Sequence, residues 1–319
     1  MNTLKPTLTI KQVFEPVSRP IENEREPNLR IPVVEFNELP EKGPSDEDIL
    51  EALESRPEIV AIVKDCIKQR EALIAFYELA NGDKWFRKDN WCTDAGLDSW
   101  YGVTTSIKFE ARFPGGRLKQ YRTVTRLDLS HNNIYSSGLT QNGYISPRIK
   151  DLVDLEFLNL GNNFIVGQIP PEIWTLTNLR ELYLHFNEFR GGISADIGNL
   201  TNLVRVQLDH NRLTGSIPEE IGKLKKLEWF LLHENNLDNG WRRLVLGGSR
   251  DGSITLRTPI RLSSPLPAAL GSMTNLKEFT VYHNQLTGTV SSAVKKNPNY
   301  SNWQPEKHIY PQQDGVMLD

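Results

Sequence analysis

The sequence predicts an α/β solenoid: a horseshoe of about six to seven stacked repeats whose strands form one parallel concave sheet, preceded by a helical N-terminal cap. Three observations predict it. A unit of the form Leu-x-Leu-x-x-Asn recurs, with its asparagine at Asn132, Asn163, Asn187, Asn211, Asn235 and Asn284, at intervals of 31, 24, 24, 24 and 49 residues. The units LEFLNLGNNFIVGQIPPEIWTLTN, LRELYLHFNEFRGGISADIGNLTN and LVRVQLDHNRLTGSIPEEIGKLKK align position by position. Upstream of them, a stretch with helical rather than repeat periodicity is placed to cover the first unit.

Each residue type in the unit has a physical task. Leu179, Leu182 and Leu184 alternate so as to point inward from a short strand, and stacking such strands gives a parallel sheet with one buried face. The asparagine turns inward after the strand, where its amide satisfies backbone groups that the bend leaves unpaired. Gly167, Gly191 and Gly215 permit the next turn, and Pro170 and Pro218 stiffen it. Ile173 and Leu176, or Ile221 and Leu224, close the core from the convex side. No unit buries its own apolar face, so the array stands on its neighbours and caps.

Four segments follow from this pattern. Residues 1–44 contain seven prolines and little periodicity, and read as an extended or disordered arm. Its apolar clusters, Ile10, Val13, Phe14 and Ile31, Val33, Val34, Phe36, suggest a segment that orders against a partner. Residues 45–123 read as the cap. Ser45 before Asp46, Glu47 and Asp48 is a helix N-terminus, and Pro57 opens a second helix whose apolar positions run from Ile59 to Tyr77, with Gly82 placed to stop it. Trp85, Trp91 and Trp100 then supply the first hydrophobic layer. The cap also holds an insertion, Thr105 to Tyr121, with Lys108, Arg112, Arg117 and Lys119. Residues 124–290 are the repeats. Their long final interval carries 25 extra residues, about 240–263, rich in arginine. Residues 291–319 form a C-terminal cap or tail, in which Trp303 and Tyr310 shield the last repeat.

Residues 124–290 resemble the plant-type, 24-residue class of leucine-rich repeats, with Gly-x-Ile-Pro in the turn. The segments ALIAFYELANGDKWFRKDNW and DSWYGV resemble the N-terminal cap that precedes such repeats in plant, protist and bacterial proteins. The resemblance implies a horseshoe fold and a non-enzymatic scaffold that holds a protein partner. Extracellular plant members usually have a cysteine pair in the cap, whereas here only Cys92 lies near it.

Bulk properties narrow the function. A formal charge of −3 over 319 residues provides no global attraction to nucleic acid or an anionic membrane. Cys66 and Cys92 are the only cysteines, too few for a disulfide framework. The N-terminus lacks an apolar run of signal-peptide type, and no stretch approaches the length of a membrane span. These features read as an intracellular, cytoplasmic protein. Asn199-Leu-Thr201 and Asn299-Tyr-Ser301 match the glycosylation acceptor pattern, which matters only on a secreted chain. Gly-x-Ser-x-Gly, HExxH, a phosphate loop and the kinase triplets are absent from the sequence, so no catalytic residues and no cofactor are assigned.

The candidate site is the concave face. Outward positions of the aligned strands form one row, Arg126, Phe157, Glu181, Arg205, Trp229, Glu278, and a second, Asp128, Asn159, Tyr183, Gln207, Leu231, Thr280. With strands about 4.8 Å apart, six strands offer a face roughly 25 to 30 Å across, suited to a protein surface rather than a small molecule. Arg126, Phe157, Tyr183, His185, Arg205, Trp229, His233 and Tyr282 are the expected contacts, with Trp229 the principal anchor. Arg242, Arg243, Arg250, Arg257 and Arg261 form a basic loop suited to an acidic protein or an RNA backbone. Five of the six histidines, His131, His185, His210, His233 and His283, sit in the two positions before the repeat asparagine. Because they alternate between two positions along a ladder, they read as a pH-responsive surface and no metal site is assigned. An extracellular recognition module, such as a receptor ectodomain or a hydrolase inhibitor, is the alternative function.

Overall fold

The computed structural model describes residues 10–18, 30–37, 43–135, 145–237, 266–284, 286 and 289–309. Helix α1 (Asp46–Ala52) begins at Ser45, whose hydroxyl accepts from the Asp48 backbone N–H while the Asp48 carboxylate accepts from the Ser45 N–H, a reciprocal cap. Helix α2 (Pro57–Leu79) opens on proline, whose missing N–H costs nothing in the first turn. It ends differently from the sequence expectation. Asn81 takes the left-handed turn at φ 58°, and Gly82 is buried under Tyr77, whose ring lies 2.2 Å from where a Cβ would stand.

The arm departs most from expectation. It contributes β1 (Ile10–Ser18) and β2 (Arg30–Phe36), an antiparallel pair joined in parallel to β3 (Val103–Arg112). Strand β3 turns back into β4 (Leu118–Asp128), so the insertion at 105–121 is a β-hairpin. Val34, Phe36, Ile49, Leu53, Ile59, Val63, Cys66, Phe109, Ala111, Phe113 and Tyr121 form a second hydrophobic core. The arm read as coreless because its partners lie some 75 residues downstream, beyond any local pattern. Helix α2 spans both cores. Its first half faces the hairpin, and Ala72, Leu73 and Phe76 join Trp85, Trp91 and Trp100, all buried, over the first repeat.

From β4 onward the chain alternates between two sheets through β5 (Phe157–Asn159), β6 (Val166–Gln168), β7 (Glu181–Tyr183), β8 (Glu188–Gly191), β9 (Arg205–Gln207), β10 (Arg212–Gly215), β11 (Trp229–Leu231), β12 (Asn236–Leu237) and β13 (Glu278–Thr280). The main sheet runs β1-β2-β3-β4-β5-β7-β9-β11-β13, and its last six strands are parallel. A second, four-stranded parallel sheet, β12-β10-β8-β6, occupies the turns after the asparagines, and the sequence reading did not foresee it. Gly167, Gly191 and Gly215 lie in it at φ 106°, 77° and 77°, where a side chain would be strained. Short 3-10 turns such as Pro171–Thr175, Ala195–Asn199 and Glu219–Lys223 line the convex side.

The asparagines form a ladder inside the bend. Asn187 Nδ2 lies 2.9, 3.1 and 3.2 Å from the carbonyls of Leu160, Leu184 and His185, and its Oδ1 accepts from the Ile165 N–H at 2.9 Å. Asn163, Asn211 and Asn235 repeat the pattern. The residue before each asparagine, His131, Asn162, Phe186, His210, Glu234 or His283, has φ between 49° and 56°. The left-handed turn is held open by the amide behind it.

Strand β11 pairs directly with β13, Trp229 opposite Glu278, so the 49-residue interval adds a single rung and the extra residues leave the sheet in register. At the C-terminal end Trp303 is buried, with its indole N–H donating to the Leu276 carbonyl at 2.8 Å and its ring 5.6 Å from that of Phe279. Tyr310 lies outside the described residues. No helix among the described residues is long and apolar enough to cross a membrane.

Candidate functional site

Parallel pairing aligns the outward side chains as the repeat spacing requires. Arg126 stands opposite Phe157, then Glu181, Arg205, Trp229 and Glu278. The second row runs Asp128, Asn159, Tyr183, Gln207, Leu231, Thr280. At such close spacing planar groups stack on one another. The Arg126 guanidinium lies 3.2 Å from the Phe157 ring centre, Phe157 and Tyr183 are 5.4 Å apart, and Arg205 lies 4.8 Å from the Trp229 ring. Tyr183 donates its hydroxyl to Glu181 at 2.5 Å, and Arg205 pairs with the same carboxylate at 3.6 Å. Burial, with help from Glu181, pushes the Tyr183 phenol up to about 12, so it remains a donor throughout the physiological range.

This mutual stacking leaves Phe157, Tyr183, Arg205 and Trp229 half-buried, where sequence reasoning pictured exposed aromatics. Among the described residues, the prominently exposed aromatic side chains are others: Phe86 at 74%, Phe164 at 58% and Phe186 at 47%. A signal for Phe164 exists, because its aligned column is otherwise polar, with Asn133, Glu188, Arg212, Asn236 and Gln285.

Two residues beyond the strand ends, His185, Asp209, His233 and Tyr282 occupy successive rungs of a third row. His233 stacks on Tyr282 at 4.5 Å and its Nδ1 lies 2.8 Å from Thr280 Oγ1. His185 is half-buried, with Nδ1 buried and unpaired and Nε2 3.1 Å from Asn162 Nδ2.

The leucine-rich-repeat family pattern matches residues 154–176, 178–200 and 202–224. Residues 154–224 are leucine-rich repeats. No curated protein matches the chain. Among solved structures the chain is similar to a plant ice-binding protein, with TM-score 0.51 and 22% identity over 72% of this chain and 60% of that one. It is also similar to the ectodomain of GASSHO1/SCHENGEN3 from Arabidopsis thaliana in complex with CASPARIAN STRIP INTEGRITY FACTOR 2, with TM-score 0.45 and 24% identity over 71% and 26%. A third likeness is to the plant peptide hormone receptor RGFR1 in complex with RGF2, with TM-score 0.40 and 23% identity over 49% and 21%. In each case the chain spans less than two thirds of the matched protein, and the likeness is one of fold.

The basic insertions fare differently from the concave rows of the leucine-rich repeats. Within the hairpin, Lys108 lies 3.1 Å from Asp154, Arg112 3.1 Å from Glu110, Lys119 2.9 Å from Asp46 and Arg122 3.8 Å from Asp98. Cations so engaged with local carboxylates give no phosphate-binding track, and the RNA reading loses its support there. Arg242, Arg243, Arg250, Arg257 and Arg261 lie outside the described residues.

Desolvation, the leading cause, lowers the pKa of His185 below its ordinary value, partly opposed by Asp209 and reinforced by His131 and His210. The unfolded chain therefore binds the proton more readily than the folded one, and stability falls as pH drops below about 6.5. A His185→Gln variant should show a shallower loss of urea midpoint between pH 7.5 and 5 than the parent. Parallel profiles would mean that His185 is not the responsible group.

Proposed function

We propose that the protein is a non-enzymatic interaction module that binds a protein partner on the concave face of its repeats. The stacked row from Arg126 to Trp229 carries this reading. Tyr, Trp and Arg dominate interface energetics, and here they are held in place by each other before any partner arrives, so little side-chain entropy remains to be lost on binding. The protein interaction fold itself follows from the repeats. The position of the partner on this face is our assignment.

Removing two anchors together, Tyr183→Ala with Trp229→Ala, should lower affinity by roughly 2 kcal/mol or more per anchor. Both side chains lie on the solvent side of the sheet, so the melting temperature should change little. Affinity capture from the source organism's lysate, comparing wild type and double variant by mass spectrometry, reads the outcome. A protein retained by the first and lost from the second supports the concave face; equal retention rejects it.

An extracellular recognition module is a second reading, favoured by one observation. Asn199 and Thr201 of the Asn-Leu-Thr acceptor are both exposed on the convex side. Expression through a secretory pathway should add a glycan mass that Asn199→Gln abolishes. An unmodified Asn199 in that host removes this support, and the intracellular reading then stands as the simpler one.

A further inference from the structure

We propose that Asp209, His210 and His233 form a binding site for a divalent transition-metal cation of the zinc class. One ligand atom from each of the three can be chosen so that all lie within 4.8 Å of one another. Asp209 Oδ2 is 3.0 Å from His210 Nδ1 and 3.7 Å from His233 Nε2. Ligands around tetrahedral zinc, at metal distances of about 2.0–2.1 Å, stand about 3.3 Å from one another, between these two values.

The carboxylate supplies the independent observation. The Asp209 side chain is only 8% exposed, and its Oδ1 is buried without a hydrogen-bond partner. A buried carboxylate with one oxygen unbonded is costly, and a cation held at Oδ2 offsets its charge. His210 satisfies only the other oxygen. On the preceding rung of the same row, His185 Nδ1 is also buried and unpaired, so the unmet polarity extends along the ladder.

The three residues converge for a reason that linear spacing conceals. Asp209 and His233 occupy the same column one repeat apart, and His210 reaches them because its left-handed backbone, φ 53°, turns it at the bend. Thr280 Oγ1, 2.8 Å from His233 Nδ1, fixes that ring with Nε2 directed to Asp209, as a hydrogen bond to the other ring nitrogen orients metal-bound histidines. Two imidazoles and one carboxylate favour zinc or a neighbouring first-row metal over magnesium or calcium, which take oxygen ligands. Three protein ligands leave a fourth position open for water or for a group brought by another molecule.

The test is zinc chloride titrated into the chelator-treated full chain against a chromophoric competitor. The expected result is one zinc per chain. His210→Gln and Asp209→Asn should each weaken binding at least about tenfold, since loss of a metal-bound side chain costs no less than loss of the group that orients it. His131→Gln with His283→Gln, which alters exposed histidines elsewhere on the ladder, should leave binding unchanged. Cobalt(II) added to the wild-type chain should give the visible absorption of tetrahedral coordination, a readout independent of how any variant folds. The proposal is overturned if the wild type takes up no zinc. It is equally overturned if the two ligand variants bind as the wild type does.

Discussion

Replacing Asn211 by alanine should destabilise the protein by about 3 kcal/mol, although it removes only one small side chain. Asn211 Nδ2 lies 3.0 Å from the Leu184 carbonyl and 3.1 Å from those of Leu208 and Asp209, while Oδ1 accepts from the Phe189 N–H at 3.0 Å. The carbonyls sit in the bend and the Phe189 N–H in β8 is taken by the amide, so the substitution strands a buried donor and weakens several acceptors. The Leu208 carbonyl keeps a donor, since it also accepts from Asn235 at 2.9 Å, so the cost falls mainly on the stranded Phe189 N–H. Asn202, half-exposed and 2.9 Å from the Thr177 carbonyl, is the matched control, and its alanine variant should cost about 0.5 kcal/mol. Urea midpoints at unchanged slope read the difference. Similar losses for the two variants would mean that the ladder is not what holds the bends.

Phe230→Ala should cost about 4 kcal/mol. The ring is fully buried and packs 6.0 Å from Phe279 on the next rung. In a solenoid each layer touches only its neighbours, so a cavity there weakens one interface rather than the whole core. The expected consequence is local: amide exchange over residues 278–303 should accelerate strongly while the strands at 157–207 change little. Uniform acceleration would instead indicate that the array unfolds as one cooperative unit.

Much of the array is legible in the sequence because each position of the 24-residue unit repeats the same physical demand. Inward leucines, the bend asparagine and the two outward rows all keep their register in the structure, even across the 49-residue interval where β11 meets β13. Legibility fails where contacts are non-local or shapes are not implied by residue type. The arm strands pair with β3, as Val33 with Glu110, at a separation no periodicity reveals. Gln69 sits on a helix face as an ordinary polar residue, yet it is 1% exposed and bonded to Thr123 at 2.9 Å and to the Val124 N–H at 2.7 Å, tying α2 to β4. The aromatic row is legible, but its half-burial is not, because stacking between rungs depends on strand spacing rather than composition. In the repeat alignment Asp209 and His233 fall on one track and His210 on its neighbour. The left-handed residue at each bend brings those tracks together.

The claim that the concave face is the docking surface is tested most directly by amide hydrogen exchange on the full chain, alone and with the partner that affinity capture retains. The account predicts protection centred on the strands at 157–159, 181–183, 205–207 and 229–231, with little change in the hairpin at 103–128 or the 3-10 turns of the convex side. Protection confined to the hairpin, the convex turns or the segment at 238–265, with those four strands unaffected, would contradict it.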